Sequence, residues 1–235
     1  MKRIHTIVLF LILPSISLAQ FQVGINSGYI YYFFTDPNDN PHYIYDYNYT
    51  HNAFSLAVSI KQRSESTFNH SIGIQYTNRS FTVKSILGGL ASHGRKEYHY
   101  NIGNIFIQLK PEFVFGSNVK FFFYPGIGFG TLIHSSLYGT TYWYNIMGQS
   151  HSDTINGSAK EYYPNFEMTV LVGFGIEVPF NNILRLAIDN NLSMNVLPIA
   201  DAWGEENIKM FDINLAVGLA YTFNRKNSKS VNIKD

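Results

Sequence analysis

The residues best placed to do chemistry in this chain are charged ones in apolar company. Lys61, Lys110, Glu112, Lys120, Glu167, Glu177, Arg185, Asp189 and Asp212 each occupy the polar phase of a segment whose alternate residues are apolar. Four cations stand against five carboxylates, so the set nearly balances. Two uses fit such a set: an ion path or acid–base pair, and a ladder of structural ion pairs filling a narrow interior. An isolated charge taken out of water is costly, so either use requires partners. Glu112 and Lys120 lie symmetrically about Gly116, as Glu177 and Arg185 do about residues 179–182. If a hairpin turns at each place, both pairs are directly opposed, and the four charges form one cluster closing one end of the interior.

Loop residues offer other chemistry. Histidines occur at 42, 51, 93, 99, 134 and 151, and two stand beside hydroxyls, in His134-Ser-Ser136 and His151-Ser-Asp153. Serine and histidine can make a nucleophile and its base, but a loop rich in both produces such neighbours by composition alone. No His-x-His or His-x3-His spacing and no cysteine is present, so no metal site is expected. The run Gly126-Ile-Gly-Phe-Gly130 lacks the dinucleotide spacing and has no helical pattern after it. No cofactor is expected, and those glycines, with Gly173, Gly175 and Gly218, should make room for Phe106, Phe122 and Tyr124. Aromatic residues gather at Tyr43, Tyr45 and Tyr47, and again at Tyr142, Trp143 and Tyr144. Such clusters suit either a binding surface or an interfacial belt.

The elements that must position these residues are strands. In residues 105–116 the side chains Ile105, Ile107, Leu109, Phe113 and Phe115 share one phase, and Phe106, Gln108, Lys110, Glu112 and Val114 the other. A period of two is the pleat of a strand. Residues 120–132 repeat it after a short Gly-Ser-Asn link, which makes a hairpin. About eight such segments can be drawn: 21–34, 53–61, 70–83, 105–116, 120–132, 162–178, 183–197 and 210–223. The last is the most regular, with Phe211, Ile213, Leu215, Val217, Leu219, Tyr221 and Phe223 opposite Asp212, Asn214, Ala216, Gly218, Ala220 and Thr222. Residues 78–80 look irregular enough to hold a bulge. Short links (62–69, 116–119, 179–182) alternate with long ones (35–52, 84–101, 133–161, 198–209), the asymmetry of outer-membrane barrels.

Composition supports this reading. Charged residues make up 14% and aromatics 16% of the 235 residues, where an ordinary soluble domain carries about 25% charge. Residues 1–19 pair a basic start with a short apolar run and Ser17-Leu-Ala19, which reads as a cleaved export signal. Losing Lys2 and Arg3 takes the net charge from +1 to −1, so nucleic acid has no electrostatic footprint to bind. Residues 20–223 are read as one barrel and 224–235 as a polar periplasmic tail. An exported, aromatic-rich chain without an apolar stretch of helical membrane length after residue 19 crosses a membrane with strands.

The tandem of Ile105-Phe-Ile-Gln-Leu-Lys110 and Tyr124-Pro-Gly-Ile-Gly-Phe-Gly130, with the closing Val217-Gly-Leu-Ala-Tyr-Thr-Phe223, resembles the small eight-stranded outer-membrane β-barrel proteins of Bacteroidetes, including the PorT-like branch. Leu186-Ala-Ile-Asp-Asn-Asn-Leu192 resembles that family's penultimate strand, except that Asn190-Asn-Leu192 stands here where an Arg-Tyr or similar pair often precedes a Gly-Leu. The resemblance implies an all-β, antiparallel, up-and-down transmembrane barrel in a bacterial outer membrane, both termini in the periplasm. It also implies that Tyr221 and Phe223 belong to the signal read by the barrel assembly machinery. Expected partners are outer-membrane lipid, that machinery, and an extracellular ligand or secretion-machine subunits. The function expected is a non-enzymatic binding or envelope-structural role with a plugged lumen. The alternatives are an accessory barrel of a secretion machine, a narrow channel, or a lipid-modifying enzyme using Ser and His at the outer rim.

Overall fold

The computed structural model describes residues 20–35, 43–46, 53–63, 67–88, 92–145, 150–161, 163–197 and 209–223. The export signal, the polar tail, Tyr47, His42 and His51 therefore lie outside the described residues, as do the side chains of Tyr43, Tyr45 and His93. The strands are β1 (Gln20–Thr35), β2 (Tyr43–Asp46), β3 (Ala53–Arg63), β4 (Phe68–Gly88), β5 (Ser92–Phe115), β6 (Lys120–Asn145), β7 (Ser150–Gly157), β8 (Phe166–Pro179), β9 (Leu184–Asn195) and β10 (Lys209–Phe223). Eight of them close a ring, β1-β10-β9-β8-β6-β5-β4-β3 and back to β1, every neighbour antiparallel. The protein is an eight-stranded antiparallel barrel. The short β2 and β7 add to β4 and β6 beyond the ring.

Closure follows from the alternation. On β10 the apolar phase is turned outward, with Leu215 52% and Val217 50% exposed, while Asp212, Asn214, Ala216, Ala220 and Thr222 are buried inside. A ring leaves no unpaired strand edge in the wall, and its outer face can be apolar without clustering inward. The aromatic–glycine rule holds in detail. Phe106 lies opposite Gly130, Tyr124 opposite Gly173 and Phe122 opposite Gly175. In each case the ring occupies the space that a β-carbon on the glycine would need.

Three expectations need correction. Residues 84–101 and 133–161 are not simply loops: β4, β5 and β6 run on through much of them, and β7 pairs with β6. The ladder runs on past the ring, to Gly88↔His93 between β4 and β5 and to Ser92↔Asn145 between β5 and β6. Residues 78–80 hold no bulge, since β4 and β5 stay in one register from Phe68↔Phe113 to Gly88↔His93. The irregularity falls instead between Gly103 and Asn104 on β5, where β6 steps from Leu132 to His134. Beyond Ile133 the inward residues of β6 become odd-numbered, so Leu137, Gly139 and Thr141 are buried. One extra residue on one strand exchanges the two faces in this way.

The third correction is register. Phe115 pairs with Phe121, and Gly116 starts the turn with φ at +95°, where a β-carbon would meet the Val119 carbonyl. Pro179 pairs with Arg185. The second turn is fixed by Asn181, whose Oδ1 accepts from the amides of Ile183 at 2.9 Å and Leu184 at 2.7 Å. Glu112 and Lys120 are thus not opposed, nor are Glu177 and Arg185. Lys120 faces Glu177 across β6 and β8 instead. Both offsets are by an even number of residues, so the inward phase survives while the partners change.

Candidate functional site

The interior is built in tiers. At the end away from the short turns, Ile30, Tyr32, Phe81, Tyr98, Tyr100, Ile102, Leu137 and Met210 form an apolar cluster. The connection after β7 folds onto it, burying Ala159 and Tyr163. That connection is tied down by Leu132 N–H donating to the Asn165 carbonyl at 3.0 Å and by a Ser135–Ser158 hydroxyl contact of 3.1 Å.

The next tier is centred on Arg79, 2% exposed. Its guanidinium reaches Asp212 at 2.7 Å and Glu167 at 3.4 Å and lies 5.5 Å from the Phe106 ring centroid. Glu167 also accepts from Tyr163 Oη at 2.8 Å, from Asn195 Nδ2 at 2.9 Å and from Asn104. A planar fork can hold two carboxylates at once, which an ammonium does less well. Arg79 is a residue the sequence reading missed. The signal was available: Gly73, Gln75, Thr77, Arg79 and Phe81 continue one unbroken phase, and the supposed bulge hid it.

Nearer the short turns, Lys61 makes the second centre. Its Nζ lies 2.6 Å from Glu112, 2.9 Å from Glu177 and 4.6 Å from the Phe122 ring centroid. These contacts join β3, β5 and β8 across the lumen. Lys110 lies 4.0 Å from Asp189 and 4.9 Å from the Tyr124 ring centroid, and Tyr124 donates to Asp189 at 2.7 Å. Arg185 donates to the Asn118 carbonyl at 3.2 Å, in the neighbouring turn. The expected single cluster is therefore two centres: Glu112, Glu177, Lys110 and Asp189 gather around or beside Lys61, and Glu167 belongs with Arg79.

Between the tiers Gln108 donates to Gln75. A cavity of about 40 Å³ lies on the Lys61 side and one of about 20 Å³ on the Arg79 side, and both are lined in part by Gln108. Cavities of this size hold a few waters at most.

Outside the ring, Tyr142, Trp143 and Tyr144 lie exposed on the β6 extension, with Lys96 Nζ 5.5 Å from the Trp143 ring centroid. His151 turns to Asp153 at 3.0 Å on the exposed edge strand β7, and not to a serine. At the other end Tyr221 and Phe223 both face outward, their rings edge to face at 4.8 Å, and Phe223 pairs with Phe21.

A closed eight-stranded antiparallel barrel with an apolar exterior and charged side chains inside is the class this fold defines. Among solved structures, similar chains include the attachment invasion locus protein Ail of Yersinia pestis, at 15% identity and a TM-score of 0.39, covering 86% of this chain and 98% of that one. Neisserial surface protein A matches at 12% and 0.41, covering 86% and 97%. A major outer membrane protein of Thermus thermophilus matches at 12% and 0.44, covering 87% and 99%. No protein-family model matches the chain and no curated protein does, so the likeness to the PorT-like branch stays a resemblance.

Proposed function

We propose that this chain is a non-enzymatic barrel of a bacterial outer membrane, closed to ions, that works through the surface it presents outside. The observation that carries this reading is the pairing of two opposite faces. The exterior is a largely apolar belt, from Ile25 on β1 through Ile74 on β4 to Phe174 on β8, each more than half exposed. The interior is spanned by Arg79 with Glu167 and Asp212, and by Lys61 with Glu112 and Glu177. Eight strands leave a lumen that side chains can fill, and the two cavities beside Gln108 are small. In this reading the short turns and both termini are periplasmic, residues 1–19 are the export signal, and residues 224–235 are the tail. Tyr221 and Phe223 are presented to the assembly machinery. Tyr142, Trp143 and Tyr144, on the extension, are where an external ligand would meet the protein. Planar-bilayer recording of the purified protein tests the closed lumen. The expected trace is flat apart from minor leak, and large, stable single-channel steps would overturn it.

A further inference from the structure

The apolar belt has a break at mid-height that neither the lumen nor the loops explain. On β9 the inward residues are Ala187, Asp189, Asn191 and Asn195, and the outward phase runs Leu184, Leu186, Ile188, Asn190, Leu192, Met194. Asn190 thus faces out from the centre of its strand. Its cross-strand neighbours are Phe174 on β8, 62% exposed, and Leu215 on β10, 52% exposed. One strand further on, Ser27 of β1 is also turned outward, opposite Val217. Other polar residues of the outward phase have polar company: Gln62 pairs with His70, Asn78 is followed on its face by Ser80, and Thr131 Oγ1 donates to the Asn165 carbonyl at 3.3 Å. Asn190 instead is flanked by Ile188 and Leu192 as well as Phe174 and Leu215.

A carboxamide facing hydrocarbon without a partner is costly, because its two donors and its carbonyl find no water. In membranes such side chains act as polar contacts between packed proteins. A carboxamide is also self-complementary, since it can donate to its twin and accept from it. A two-fold axis along the membrane normal places a residue opposite its own copy at the same depth. We infer that the β9–β10–β1 face, centred on Asn190, is the contact surface of a homodimer within the membrane. The reciprocal amide pair sits at its centre, with Leu215, Val217 and Ile188 packed around it. The inference rests on the outer face meeting lipid, not on the lumen being closed, so the conductance test bears only on the latter.

The chain has no cysteine, which makes the test direct. Asn190→Cys and, on β4 at the opposite side of the ring, Ile74→Cys would each be folded into phosphatidylcholine vesicles at high lipid excess and oxidised. Heat-dependent gel mobility would confirm folding. The expected result is rapid disulfide dimer from Asn190→Cys and little from Ile74→Cys. In parallel, energy transfer between copies labelled at an exposed turn through Ser117→Cys would give the association constant. Asn190→Leu should lower it roughly ten-fold, although leucine is the better lipid-facing residue. Because that change favours insertion, it carries the test even if the Asn190→Cys variant does not fold. A monomeric parent, equal cross-linking from the two faces, or an undiminished dimer of Asn190→Leu would each overturn the inference.

Discussion

Replacing Lys61 by methionine isolates what the cross-lumen ion pairs contribute. The side chain has nearly the same length, so packing against Phe122 is largely kept while the charge is lost. Two carboxylates, Glu112 and Glu177, then remain with their side chains only 4% exposed and without the ammonium that stands 2.6 and 2.9 Å away. Removing one partner of a buried pair costs about 3–5 kcal/mol, most of it the penalty of the stranded charge. Lys110 lines the same cavity and is engaged with Asp189, so it offsets the loss only by abandoning that carboxylate. With a urea dependence of about 2 kcal/mol per molar, the unfolding midpoint should fall by about 1.5–2.5 M. Tryptophan fluorescence from Trp143 and Trp203, recorded in lipid vesicles, follows the transition. Adding Glu112→Gln and Glu177→Gln to Lys61→Met should recover a substantial part of the loss, since neutral amides no longer require a cation. A single variant within about 1 kcal/mol of the parent, or a triple variant no more stable than the single, would refute the reasoning.

The same logic gives Arg79→Met a cost of about 3–5 kcal/mol by urea unfolding, since Glu167 and Asp212 are both stranded, and Arg79→Lys should restore only part because one ammonium replaces a fork. Val217→Arg, at the middle of the lipid face, should cost about 2–4 kcal/mol of stability in vesicles, whereas Val217→Leu should be neutral; equal stabilities would mean that the assigned faces of β10 are reversed. Phe223→Asp should block assembly in cells, read by surface protease protection, while deletion of residues 224–235 should leave it intact. Failure of the tail deletion would move the assembly signal out of β10.

The sequence by itself determined the wall of this protein. The phase of β10, from Phe211 outward to Thr222 inward, is written in consecutive residues, and so is the partnership of large rings with small inward glycines. These are properties of a single strand or an adjacent pair, where a period of two and the space beside a glycine decide the outcome. Tertiary structure decided who meets whom. Glu112 and Lys120 are eight residues apart and look like partners, yet the turn that begins at Gly116 sets them off register. Lys61, Glu112 and Glu177 come from three strands that are distant in sequence and meet only because the sheet closes on itself. Arg79 was obscured by a bulge assigned to the wrong strand, and the real one, at Ile133, exchanges the faces of β6 in a place where local pattern gives no warning. Alternation fixes the face on which a side chain points, but its partners across a lumen depend on the register accumulated around the whole ring, and no short stretch of chain contains that sum.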